Sequence, residues 1–134
     1  MTLDFTECLK QQIESLQLDF PVFAGIAEIE DSIALRPTQG GRIIKTYYDN
    51  EVDKGLNYEF VVKTKKQKEA ETSMLAISSY LENLQDIQSE NGSFEFNQIT
   101  VTSESFYLGE NEDGFFFYGL TIEANLTIYL EGVN

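Results

Sequence analysis

Apolar positions along this chain recur with two periods, and each period predicts its own kind of element. Phe5, Leu9, Ile13 and Leu16 follow at spacings of four, four and three residues, which makes one stripe of a helix with Cys8 at its edge. Thr2 is placed to cap that helix and Asp4 to sit favourably in its first turn. Gln12 falls inside the stripe, and Pro21 ends the segment. Ala70, Met74, Ile77, Leu81 and Leu84 repeat at four, three, four and three residues, with Tyr80 at the edge of the arc. They predict a second helix over about 65–85 that stops before Asn91-Gly92, and Thr64 with Gln67 three residues later matches a capping box at its start.

The period-two segments predict strands. Short candidates lie at about 22–27, 33–37 and 42–48, with Gly40-Gly41 suited to a tight hairpin between the last two and Asp49 to Asp53 a polar turn. Over about 55–63, Leu56, Tyr58, Phe60 and Val62 alternate with polar side chains, as a half-buried strand requires. Phe94 and Phe96 then alternate before the apolar phase slips to Ile99 and Val101. A one-residue slip turns every following side chain over, so a bulge is expected near Asn97-Gln98. After an Asp113-Gly114 turn, every even position from Phe116 to Leu130 is apolar. At roughly 3.3 Å per residue that run is about 50 Å long, more than one small core covers, so the hairpin is expected to bend or to project. The order helix, three or four strands, helix, two long strands predicts one α+β domain over 1–134. Its expected form is an antiparallel (mixed) sheet with two helices on one face and a long C-terminal β-hairpin.

Composition narrows what such a domain does. A length of 134 residues suits a single core, and 42% hydrophobic residues are enough to fold it. The formal net charge of −14 excludes general affinity for nucleic acid, which needs clustered cations. All nine cations lie in residues 1–68, whereas residues 69–134 carry 12 of the 23 acids and no cation. Such asymmetry suits contacts between unlike faces of neighbouring molecules. No stretch approaches 18 apolar residues, so no membrane span is expected, and Met1 to Lys10 lacks the pattern of a signal peptide. The sequons at Asn91 and Asn125 are read as chance.

Candidate chemistry is sparse. The absence of histidine removes the usual nucleophile–base pairs and zinc sites, and Cys8 reads as an inert core thiol. Asp49, Glu51 and Asp53 resemble the start of a calcium loop, but Lys54 stands at its sixth position and Phe60 at its twelfth. Gly40-Gly41 lacks the ending of a phosphate loop. No catalytic residue, cofactor or metal site is therefore expected. Two clusters suggest an interface instead. Lys63, Lys65, Lys66 and Lys68 crowd a helix start, where the dipole disfavours cations, and an acidic surface of a second copy would suit them. Glu110, Glu112 and Asp113 gather at the predicted hairpin tip.

Several segments resemble the phage "minor capsid protein" family of tail terminator and tail-to-head joining proteins. They are Tyr47-Tyr48-Asp49, Leu56-Asn57-Tyr58-Glu59-Phe60, Lys63-Thr64-Lys65 with Gln67, Tyr80-Leu81-Glu82-Asn83-Leu84, Asn91-Gly92-Ser93-Phe94-Glu95-Phe96 and Asp113-Gly114. The resemblance covers about residues 5–130, and the Gly-Ser-Phe-Glu-Phe run is its most specific part. It implies a virion protein, assembled in the host cytoplasm, that forms a ring, typically a hexamer. Its partners would be further copies of itself, the major tail tube protein and a head connector or completion protein, with no direct nucleic-acid or membrane binding. Capping the tube would stop its growth and prepare head attachment, and an acidic lumen would keep passing DNA from sticking. Two other readings stay open: a head-completion or connector protein, and an acidic DNA mimic that inhibits a nucleic-acid enzyme. A small hydrolase or metal enzyme ranks last for want of histidine.

Overall fold

In a computed structural model, the two longest alternating segments lie side by side in one six-stranded mixed sheet. Residues 3–18, 20–25, 31–38, 42–46 and 51–129 are described. The order is α1 (Phe5–Glu14), β1 (Val22–Ala24), β2 (Ser32–Pro37), β3 (Arg42–Thr46), β4 (Glu51–Thr64), α2 (Gln67–Glu82), β5 (Phe94–Glu110) and β6 (Phe116–Tyr129). Across the sheet the strands run β1-β2-β4-β6-β5, with β3 also paired to β4. β1 is parallel to β2 and every other pairing is antiparallel. The α+β class, the two helices and the C-terminal hairpin are as the periodicity predicts.

Alternation decides which face is covered. Tyr118, Leu120, Ile122, Ala124 and Leu126 of β6 turn inward with Tyr58, Phe60 and Val62 of β4 and Ile33 and Leu35 of β2. Phe5, Leu9 and Ile13 of α1 and Met74, Ile77 and Leu81 of α2 close the same core, and all six are at most 1% exposed. Burying each such side chain stabilises the fold by about 1.5–3 kcal/mol before entropy is subtracted. The polar Gln12 within the apolar stripe has a partner: its Oε1 accepts the Tyr80 hydroxyl, which ties α1 to α2. The opposite face of the sheet carries no helix among the described residues.

Several expectations are corrected. The hairpin does not project: β6 pairs with β4 at every residue from Phe116 to Tyr129, because β4 is itself 14 residues long. Glu51 and Asp53 are therefore strand residues, and not part of a polar turn. β5 instead shifts register at Phe96/Gln98, Val101/Ser103, Ser103/Phe106 and Tyr107/Gly109. The first of these is the bulge that the change of apolar phase predicts. No hairpin joins β2 to β3. Both run antiparallel to β4, one after the other along its edge, so they share a direction. The capping box is not formed either. Thr64 Oγ1 accepts the Lys66 amide at 3.0 Å and donates to Asp31, while Gln67 Nε2 donates to the Tyr118 hydroxyl. Thr2, Gly40-Gly41, Asp49, the ends of the predicted strands at 26–27 and 47–48, and Leu130 lie outside the described residues.

Candidate assembly surface

The basic run and the acidic cluster meet at one end of the sheet. Lys63 pairs in register with Phe117, and Thr64 with Phe116, so the start of α2 lies beside the β5–β6 tip. That tip is organised by Asn111, whose Oδ1 accepts the amides of Asp113 at 3.1 Å and Phe115 at 3.0 Å. Its carbonyl accepts the Gly114 amide, and Gly114 turns the chain at φ +84°. A positive φ here is the reason for the Asp-Gly pair. The turn delivers Phe115, 5% exposed, beneath the Lys63 and Lys65 ammonium groups, which stand 5.1 and 4.9 Å from its ring centre. Each such contact is worth about 0.5–1 kcal/mol at an exposed site. Lys66 and Lys68 are exposed. Among the described residues no ion pair joins the four lysines to Glu110, Glu112 or Asp113.

Next to this tip, the helix-free face holds an open groove of about 370 Å³ lined by Ala34, Arg36, Val61, Leu108, Glu110 and Phe117. Arg36 is held there by Glu59, whose Oε1 accepts its Nε at 3.0 Å and its Nη2 at 2.6 Å. Gly119 leaves room for the Leu108 and Phe106 side chains of β5 to lie over β6 at this point. A Cβ on it would come within 3.0 Å of Leu108 Cδ1 and of the Phe106 ring. Further along the same face, Asn97 donates to Thr127 at 3.1 Å and Thr127 to Asp53 at 2.6 Å, a polar line across three strands.

The other end is closed by Asp4. Its Oδ1 accepts the hydroxyls of Ser89 at 2.7 Å and Ser93 at 2.9 Å, and its Oδ2 the amides of Glu90 at 2.9 Å and Asn91 at 3.2 Å. Burial alone would raise its pKa, but these hydrogen bonds outweigh it and hold the carboxyl below its ordinary range. Sequence reasoning assigned Asp4 only to the helix dipole and missed this latch, because its partners lie more than 80 residues away. Asp4 also bears on Cys8. Burial, with the charges of Asp4 and Glu90, raises the thiol pKa despite a backbone hydrogen bond from Glu90, so Cys8 is a poor nucleophile.

Charge stands against the α2 dipole at both ends, with Glu69 in the first turn as the favourable exception. Lysines crowd its positive N-terminus, while Glu82 closes its last turn, which has no basic residue, with Asp86 and Glu90 beyond. Each exposed charge so placed costs about 0.3–1 kcal/mol. Beside the acidic end lies a second groove, about 350 Å³, lined by Asp86, Ile87, Gln88, Phe94, Glu95 and Phe96 among others. Among the described residues no three His, Cys, Asp or Glu side chains gather as a metal site. No described helix is long and apolar enough to cross a membrane. What the geometry offers is surface: open grooves, a basic patch and an acidic end.

Comparison with known proteins agrees with a surface-driven role. The family described as bacteriophage tail terminator protein matches residues 11–128. No curated protein matches the chain.

Proposed function

Because the chain belongs to the bacteriophage tail terminator family, we propose that it forms a ring on the finished tail tube, ends tube growth and offers the surface to which the head attaches. Membership makes it a structural component of the phage tail, and so of the virion. The finer reading is a hexamer whose partners are the tube protein on one side and a head connector or completion protein on the other. It assembles in the host cytoplasm and holds no cofactor.

The observation that carries this reading is the family match across most of the chain. The surfaces described above support it. Among the described residues, Lys63, Lys65, Lys66 and Lys68 have no carboxylate partner, and Glu110, Glu112 and Asp113 stand at an exposed turn. These seven residues are the proposed interface. A channel wall drawn from the helix-free side of the β5–β6 hairpin would carry threonines and asparagines beside the Leu108 and Phe117 groove, and no cation of its own because residues 69–134 hold none, so it offers DNA no phosphate clamp. Such a ring is tested by gold-labelling an affinity tag on this chain in intact virions. Label at the head–tail junction supports the reading, and label absent from purified particles removes it.

A further inference from the structure

The lysines at the start of α2, which have no carboxylate partner among the described residues, and the acidic groove past its end lie on opposite ends of one 16-residue helix, about 24 Å apart. No single molecule can bring them together. The rim of the groove carries Asp86 above a floor of Ile87, Phe94 and Phe96, all three at most 9% exposed, and Glu95, whose Oε2 accepts the Tyr129 hydroxyl at 3.1 Å, borders it from the helix-free side. A lysine lays its alkyl stem on such a floor and its ammonium against such a rim. We propose that Lys65, Lys66 and Lys68 of one copy dock in the 86–96 groove of the next copy.

Charge complementarity selects a second copy as the occupant. Residues 69–134 hold no cation, so nothing in that half of the chain neutralises the groove from within. Geometry selects the groove over the other acidic cluster. Glu110, Glu112 and Asp113 sit at the same end as the lysines, so docking lysines on that tip would be a head-to-head contact. A self-complementary contact closes at two copies. Joining opposite ends of the molecule repeats, and closes into a ring when the rotation allows. This inference rests on the proposed ring and says which surfaces build it.

Sedimentation velocity of the full chain, alone and with isolated tail tubes, at low and raised salt, tests the contact. The variants are Lys66→Glu/Lys68→Glu and Asp86→Lys/Glu95→Lys, all at exposed positions, with folding checked by circular dichroism. Each double variant should self-associate about tenfold or more weakly than the natural chain, and an equimolar mixture of the two should regain association. Raised salt should weaken the natural contact. If both variants associate like the natural chain, the docking contact is wrong while the ring stands. If Glu110→Lys/Glu112→Lys, and not the groove variant, rescues Lys66→Glu/Lys68→Glu, the tip is the true partner and the groove is not. If the natural chain stays monomeric with and without tubes, the contact and the ring both fall.

Discussion

Asp4 accepts four hydrogen bonds from the 89–93 loop and so joins the first helix to the approach of the long hairpin. Its pKa is lowered in the fold, which fixes the sign of its pH dependence. The stabilisation is complete above the ordinary carboxylate range and disappears as pH falls through the lowered value. Asp4→Asn should cost about 1–2 kcal/mol at pH 7, from weakened charge-assisted hydrogen bonds at a partly exposed site. In urea melts the gap between variant and natural chain should close as pH falls below the ordinary carboxylate range; an undiminished gap in acid would mean that charge is not what the loop binds. Gly119 is a second residue whose role is local. Gly119→Ala would push the Leu108 and Phe106 side chains aside, at about 1 kcal/mol, and reshape the groove beside Phe117. Full stability with an unchanged Leu108 methyl spectrum would show that the approach is looser than described.

At the scale of elements, α2 carries the tension that matters most. Its apolar stripe is plain in the sequence, and Ala70, Met74, Ile77 and Leu81 are buried where the spacing puts them. Its end charges are also plain there, but their meaning depends on the register of β4 with β6, which sets the lysines beside the hairpin tip. Lys66→Glu/Lys68→Glu should make the isolated chain more stable by roughly 0.5–2 kcal/mol, since the new acids favour the helix dipole. The same change should weaken self-association, and a thermal melt beside the sedimentation data checks both signs. Equal or lower stability would remove the argument that the lysines are kept at a cost.

Local pattern read the other elements unevenly, for physical reasons. Alternation identified β6 and the change of phase located the Phe96/Gln98 bulge, because both depend on which way consecutive side chains point. The collinear run of β2 and β3 along β4 was not legible, since a Gly-Gly pair suits a turn by residue type but does not fix the direction of the strand after it. Thr64 and Gln67 fit a capping box by spacing, yet Asp31 and Tyr118 compete for their side chains from 33 and 51 residues away. Of the candidate site, the residue types were readable and their convergence was not. That the lysine run and the acidic tip share one end, and the Asp86–Glu95 groove the other, follows from pairings distant in sequence.

For the whole molecule, the structural facts and the family agree on a protein that works through its surfaces. A hexamer predicts a mass about six times 15.3 kDa for the assembled ring, measurable by native mass spectrometry of rings released from tails. A different integer would revise the stoichiometry and leave the capping role standing. The capping role itself is tested most directly by the length distribution of tails made by a phage lacking this chain, measured by electron microscopy. The account predicts headless tails whose lengths run well past the normal value and return to it when the chain is supplied in trans. Tails of normal length joined to heads in its absence would contradict it.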